Sequence, residues 1–446
     1  MNQPNKKIQL LECAPVPNAL LAMGIPTMIG MLVNAFYNLA DAYFVSGLGE
    51  SQMGAISVVY PLGQVVVGLG LLFGNGAASY ISRLLGSGDK QKASHVASTA
   101  LYSSLLAGAA LILLSLGFLR PILRLLGATE SILPYAVTYA GIYLLSCIFN
   151  VFNVTMNNIA TSEGAAKTTM CALMAGAVLN IVLDPIFIYA FHGGVAGAAI
   201  ATAIAQAVST AVYLWYILRG KSAFRFHPRD CRFSKEILSE IGKIGVPTLV
   251  FQLLTSLSIS LVNNAAFPYG DAAIAGMGVV TRLISMGSLT VFGFLKGFQP
   301  IAGYSYGAGQ FDRLREAIRT SIAWSTIFCV LYGSVLALFA VPIVSQFASE
   351  NREMIVLGAH ALRANGISFF LFGFSTVYSS LFLALGKGKE GFVLGACRQG
   401  ICFVPAILLF PSVWGLTGIF YAQPAADVLS ALITACMALP LSRQYR

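Results

Sequence analysis

The sequence predicts an all-α polytopic membrane protein, with twelve transmembrane helices in two six-helix lobes related by a pseudo-two-fold axis along the membrane normal. Three observations carry this expectation: apolar stretches of spanning length, basic residues gathered at alternate breaks, and an internal repeat of constant offset. The chain has 446 residues, 57% hydrophobic and 10% charged, against roughly 25% charged in ordinary soluble domains. About 20 apolar residues cross the hydrocarbon core as a helix. Twelve stretches meet that length: 18–46, 52–80, 94–119, 132–158, 167–191, 195–218, 237–267, 272–303, 316–343, 354–385, 390–411 and 414–440.

The net charge of +10 is distributed as an orientation signal. Of 27 Lys and Arg, 20 fall in the tails and alternate breaks (Lys6, Lys7, Arg83, Lys90, Lys92, Lys167, the seven from Arg219 to Lys243, Arg313, Arg315, Arg319, Lys387, Lys389, Arg443 and Arg446). Four lie toward the opposite side, Arg120, Arg124, Arg352 and Arg363, and three fall within spans, Arg282, Lys296 and Arg398. By the positive-inside rule both termini are expected in the cytoplasm. The expected partners are therefore the lipid bilayer and small molecules, not nucleic acid. The first stretch is too long for a signal-peptide core and lacks a cleavage pattern, so it is read as a span. Eight scattered cysteines without a C-x-x-C pair read as packing residues. The four histidines sit at loops or span ends, which argues against a buried metal or a histidine relay.

The repeat is explicit. Gly24-Ile-Pro26-Thr27 recurs as Gly245-Val-Pro247-Thr248, and the offset 247 − 26 = 221 also relates Gly76 to Gly297 and Gly86 to Gly307. Six spans return the chain to its starting side, so the repeats are parallel. Residues 1–218 then form one lobe and 244–446 the other, joined by a basic linker, 219–243, suited to anionic lipid. Two bundles around a cleft are the arrangement of alternating access; the spans show no pore-lining ring of a channel.

Taken in order, the first span carries Asp41 on one helical face with Asn34, Tyr37 and Asn38, at separations of seven, four and three. An aspartate at bilayer depth costs roughly 2.5–3.5 kcal/mol and persists facing a partner, an ion or water. The second span ends in glycines before Gly86-Ser-Gly88, and its repeat before Gly307-Ala-Gly309. Neither turn holds the phosphate-cradling G-x-x-x-x-G-K-[ST] spacing, so energy is expected from an ion gradient or from the substrate. The fourth span carries Asn150, Asn153 and Asn157. The fifth carries Asn180 and Asp184, with Pro185 freeing a backbone carbonyl, and the sixth adds Thr202 and Gln206. These hard oxygen donors suit a small cation or shared protons. Asp41 and Asp184 both lie toward the outer ends of their spans and are expected to meet, letting one of them exchange a proton.

The second half is less acidic. Arg282 and Asp427 are expected to form a structural ion pair or to balance charge along the path; the other intramembrane charges are Lys296 in span eight and Arg398 in span eleven. Pro26 and Pro247 offer hinges. Methionines and aromatics of spans one, two, seven and eight suit an adaptable apolar cavity or lipid-facing packing.

The stretches IPTMIGMLVNAFYNLADAYFVSGLG, SRLLGSGDKQKA, NIVLDPIFI and GFLKGFQPIAGYSYGAGQFDRLREAIR resemble the multidrug and toxic compound extrusion (MATE) transporters, best the bacterial branch with an Asp in span one and Asn-x-x-x-Asp in span five. The resemblance covers nearly the whole chain. It implies a two-lobe antiporter exporting cationic and amphipathic compounds in exchange for H⁺ or Na⁺; a monomer in a bacterial inner membrane, with no cofactor beyond that ion, is expected. Carried over by position, Asp41, Asn180, Asp184 and Thr202 would form the cation site, with Tyr37 and Asn157 nearby. A branch with coupling carboxylates in spans seven and ten fits less well, because residues 237–267 and 354–385 have no mid-membrane Asp or Glu. Two other classes remain in view: a flippase for a lipid-linked precursor, which predicts a larger, more basic cleft, and a membrane enzyme, whose nucleophile and base are missing.

Overall fold

Runs of Leu, Ala, Val and Phe interrupted by glycine turns fold as long helices. In the computed structural model, residues 6–348 and 352–444 are described, and twelve of their helices are long and apolar enough to cross a membrane. Arg446, counted above among the cations of one side, lies outside the described residues. The first lobe comprises α1 (Lys6–Glu12), α2 (Val16–Ser46), α3 (Glu50–Gly86), α4 (Lys90–Gly117), α5 (Leu119–Leu125), α6 (Leu133–Ser162), α7 (Ala166–Pro185) and α8 (Gly194–Leu218). The second comprises α9 (Lys235–Ala266), α10 (Asp271–Gly307), α11 (Phe311–Leu338), α12 (Ala340–Ala348), α13 (Arg352–Ser368), α14 (Phe372–Ala384), α15 (Gly388–Ala396), α16 (Phe403–Trp414) and α17 (Leu416–Gln444). The tenth span is α13 with α14, and the eleventh is α15 with α16.

Helix ends differ from expectation where local chemistry decides. The second and eighth spans run on to Gly86 and Gly307. The helices persist that far, and the chain reverses only where Gly88 and Gly309 take φ of +84° and +70°. The ninth stretch, expected as one span over 316–343, is broken at Phe339, and α12 follows as a separate short helix.

The short helix α1 has no sequence signal, since seven residues cannot show a period; tertiary contacts hold it. Leu11 is fully buried, and Lys7 Nζ donates to Tyr216 Oη at 2.6 Å and to the Lys221 carbonyl at 2.7 Å. Beside it, buried Glu163 accepts from Tyr216 Oη at 2.5 Å and from the Ala223 amide at 2.6 Å. Burial pushes the Glu163 carboxyl above its ordinary range and the Lys7 amine below its own, and the mutual attraction of the two opposes both shifts. Arg313 of the second lobe donates to the Ala14 and Leu10 carbonyls. The segment before α2 thus touches both lobes.

The lobes meet on the side that carries α1 and the linker, here the linker side. One apolar core joins them there, combining Leu20, Met23, Ile81 and Leu85 with Ile241, Phe298 and Ile301. Toward the far side the cores separate. One around Val45, Ala55, Leu133 and Ala198 belongs to the first lobe, and one around Ala266, Met277, Phe403 and Ile419 to the second.

Inter-lobe bonds follow the same division. Ser79 Oγ donates to the Leu383 carbonyl at 2.5 Å, Arg83 pairs with Glu240 at 3.1 Å, and Thr27 Oγ1 donates to the Gly293 carbonyl at 2.6 Å. Gln252 Nε2 donating to Gln64 Oε1 at 2.6 Å stands near mid-helix. The repeated glycines explain how the helices approach so closely. A Cβ on Gly297 would lie 2.7 Å from the Gly24 Cα, and by the same symmetry one on Gly245 would meet the Leu72 backbone. Gly86 and Gly307 likewise cross the Tyr304 and Arg83 backbones. The structure is a V, shut on the linker side and parted on the far side.

Candidate ion and substrate sites

The far half of the first lobe concentrates its polar residues where α2, α7 and α8 pack together. Asp41 lies near the far end of α2, Asp184 in the last turn of α7, and Thr202 two turns into α8. After Pro185 the chain makes a π-helical turn, Ile186–Ala190, whose Tyr189 hydroxyl donates to the Phe44 carbonyl and ties the two helix ends together.

Within this frame the Asp41 and Asp184 carboxyls come into hydrogen-bonding reach of each other. Asn180 Nδ2 donates to Asp184 Oδ1 at 3.2 Å and lies 3.5 Å from Thr202 Oγ1. Asn180 and Asp184 are fully buried and Thr202 nearly so. Three buried oxygens here, Asp41 Oδ1, Asn180 Oδ1 and Asp184 Oδ2, have no hydrogen-bond partner among the described residues. All three are acceptors. A pocket with two touching carboxyls and too few donors needs a proton between them or a small cation, so the donor set fits H⁺ or Na⁺ chemically.

Tyr37 is close enough to both carboxyls to feel their charge, and Tyr139 of α6 to feel that of Asp41. Tyr139 stacks on Tyr143 with centroids 5.6 Å apart. Sequence reasoning passed over this tyrosine pair. The signal was present: Tyr139, Tyr143, Cys147 and Asn150 continue the asparagine stripe of α6 at spacings of four and three.

Other expected site residues lie elsewhere. Asn38 is exposed and its side chain donates to the Asn34 carbonyl at 2.8 Å. Asn153 Nδ2 donates to Gln206 Oε1 at 2.8 Å and its Oδ1 accepts from Thr210 Oγ1 at 2.9 Å. Gln206 is four residues beyond Thr202, about 6 Å deeper along α8. Asn157 donates to Tyr213 Oη at 3.1 Å and accepts from Lys296 Nζ of the other lobe. The asparagines of α6 thus form a column of separate layers.

The expected pair between Arg282 and Asp427 is not formed. Asp427 is held by Arg398 Nε at 2.8 Å, Gln423 Nε2 at 2.9 Å and Ser368 Oγ at 2.9 Å, while Arg282 is exposed on α10. The reason is packing: α17 lies against the π-helical turn Cys397–Ile401, which carries Arg398, and against α13. Removing one partner of such a buried pair typically costs about 3–5 kcal/mol, so this cluster anchors the second lobe.

Between the lobes is a cavity of about 500 Å³, walled mostly by α9, α10 and α14 to α17, with Met31, Leu71, Asn75 and Asn158 from the first lobe. Its aromatic wall is a chain of edge-to-face contacts, Phe251 on Phe292 at 6.1 Å and Phe292 on Phe372 at 5.6 Å. Asp41 and Asp184 do not line it. Helix α2 connects the two places, placing Met31 on the cavity and Asp41, ten residues and about 15 Å further along, in the carboxyl pocket.

Twelve spans in two parallel repeats, shut against each other on one side and parted on the other around a cavity, define a two-lobe membrane transporter. The MatE family model matches the chain twice, over residues 26–186 and 247–408, with starts separated by the repeat offset of 221 residues. The chain belongs to the MATE family. It is 30% identical over 429 residues, 96% of this chain and 94% of the relative, to the multidrug export protein MepA of Staphylococcus aureus (strain NCTC 8325 / PS 47). It is also 30% identical over 438 residues to the protein of that name from Staphylococcus saprophyticus, with coverage of 96% and 94%. A solved structure described as the outward-facing conformation of a multidrug resistance MATE family transporter superposes with a TM-score of 0.94 at 28% identity, covering 100% of this chain and 99% of that one.

Proposed function

We propose that the protein exports amphipathic drugs and related toxic compounds across a bacterial cytoplasmic membrane in exchange for H⁺ or Na⁺. The observation that carries this reading is the donor-poor pocket of Asp41, Asn180, Asp184 and Thr202, set apart from an aromatic cavity in a V-shaped pair of lobes. Kinship with MepA supports the efflux direction and does not favour the lipid-precursor flippase. Residues 1–218 and 244–446 are the moving units, the linker side is cytoplasmic, and the V is the outward-open state. A monomer suffices, since both sites lie within one chain.

Coupling follows from differential affinity. Two neighbouring carboxyls bind a proton or sodium ion more tightly in one arrangement of α2, α7 and α8 than in the other, and the ion can bias the lobes only by that difference. Substrate favours the opposite arrangement. Because α2 runs from the cavity to the carboxyl pocket and is bonded to α10 through Thr27, a change at either end is felt at the other. Pro26, which lacks an amide proton, sits one residue before that bond.

The test is dye efflux from inverted vesicles with a sodium gradient and a pH gradient imposed separately. Export driven by either gradient, and lost when that gradient is collapsed, is the expected result. Export indifferent to both gradients would end the antiport reading.

A further inference from the structure

The charge of the central cavity runs against the cation preference that the family resemblance implies. Its charged lining residues are Lys296 and Arg398. No Asp or Glu is among its lining residues, and Asp427, beside Arg398, is already committed to that arginine. Lys296 has no ion-pair partner among the described residues, and its Nζ donates to the neutral Asn157 amide oxygen. The other polar lining groups, such as Gln252, Gln299 and Gln423, are uncharged. When Lys296 is protonated the cavity therefore carries one uncompensated positive charge. An ammonium held inside a low-dielectric span without a counter-ion is costly and attracts an anion.

The surroundings narrow the anion's chemistry. The Arg398 guanidinium carbon lies 4.4 Å from the Phe372 ring centroid, and its Nε is fixed on Asp427. That leaves a planar fork, positioned by stacking and by the salt bridge, of the kind that matches carboxylate and sulfonate oxygens. The Phe251, Phe292 and Phe372 rings supply an apolar wall beside it.

We propose that this cavity binds aromatic amphipaths bearing an anionic head, a carboxylate or sulfonate, with the head drawn to Lys296 and the Arg398 fork and the body against the phenylalanine wall. The proposal rests on the reading of this cavity as the substrate chamber. A cationic amphipath would bring like charge to Lys296 and is the weaker ligand.

Two xanthene dyes of matched shape test it: fluorescein, which is anionic, and rhodamine 6G, which is cationic. Binding is measured by fluorescence anisotropy with the full chain in nanodiscs. The wild-type protein is expected to bind fluorescein at least about tenfold more tightly than rhodamine 6G. Lys296→Met should weaken fluorescein about tenfold without weakening rhodamine 6G, and Lys296→Arg should restore fluorescein binding. A wild-type preference for rhodamine 6G overturns the proposal with no variant needed, and so does fluorescein binding that Lys296→Met leaves unchanged. The same dyes in the vesicle assay separate the two readings. Fluorescein bound with neither dye exported would sink the efflux reading and keep the anion site; rhodamine 6G exported with fluorescein neither bound nor exported would do the reverse.

Discussion

Asp184→Asn is expected to lose gradient-driven export, by at least about tenfold, while the protein stays folded. The carboxamide preserves shape and can still accept from Asn180, so Asn180 keeps its place within α7, beside Thr202 of α8. It cannot take up a proton or balance a sodium ion. Without an ionisable partner for Asp41, the ion's preference for one arrangement of the lobes falls, and 1.4 kcal/mol of lost preference is already a factor of about ten. Removing a buried carboxyl also removes a desolvation cost, so the melting temperature should hold or rise. Asp41→Asn should behave alike. Full export by both variants, or simple unfolding of both, would refute the role given to the pair.

Gly86→Val is expected to have the second large effect. A side chain there would meet the Tyr304 carbonyl and lie 2.8 Å from the Ala308 amide nitrogen, and neither backbone can swing aside as a flexible side chain would. Overpacking of this kind costs about 1–3 kcal/mol, roughly a five- to 150-fold shift away from the state closed on the linker side. Export should fall, and a cysteine placed along the linker-side cleft should react faster with a membrane-impermeant thiol reagent applied from that side. Gly242→Val is the control: on α9 it has nothing within 4 Å and should leave both readouts unchanged. Equal labelling of the Gly86→Val and Gly242→Val proteins would show that this crossing does not gate the lobes.

The spans and the repeat were legible because both are properties of long stretches. A 221-residue offset survives in glycines that permit backbone-to-backbone crossings, and such positions tolerate little else. The meeting of Asp41 and Asp184 was legible because a carboxyl in an apolar helix is too costly to lie idle. What stayed hidden depends on helix rotation and depth. Asp427 had two arginines within reach on paper, and only the packing of α17 on the Cys397–Ile401 turn selects Arg398. Asn153 and Asn157 of α6 share a face, yet each is satisfied at a different depth while Asn150 Oδ1 has no partner among the described residues, and only the structure shows Asn157 held across the lobes by Lys296. Tyr139 and Tyr143 went unread, because an aromatic pair in an apolar helix has no charge to mark its direction. The helix α1 was too short to read.

The most direct test of a first-lobe ion site linked to the substrate cavity is ion release on substrate binding. Purified protein in weakly buffered solution, loaded with protons or with radioactive sodium, is mixed with a dye it exports, and the released ion is measured. Linkage requires the wild-type protein to release the ion as the dye binds, and the Asp41→Asn/Asp184→Asn double variant to bind the dye with no release. Undiminished release from the double variant, or dye binding by the wild-type protein with none, would contradict it.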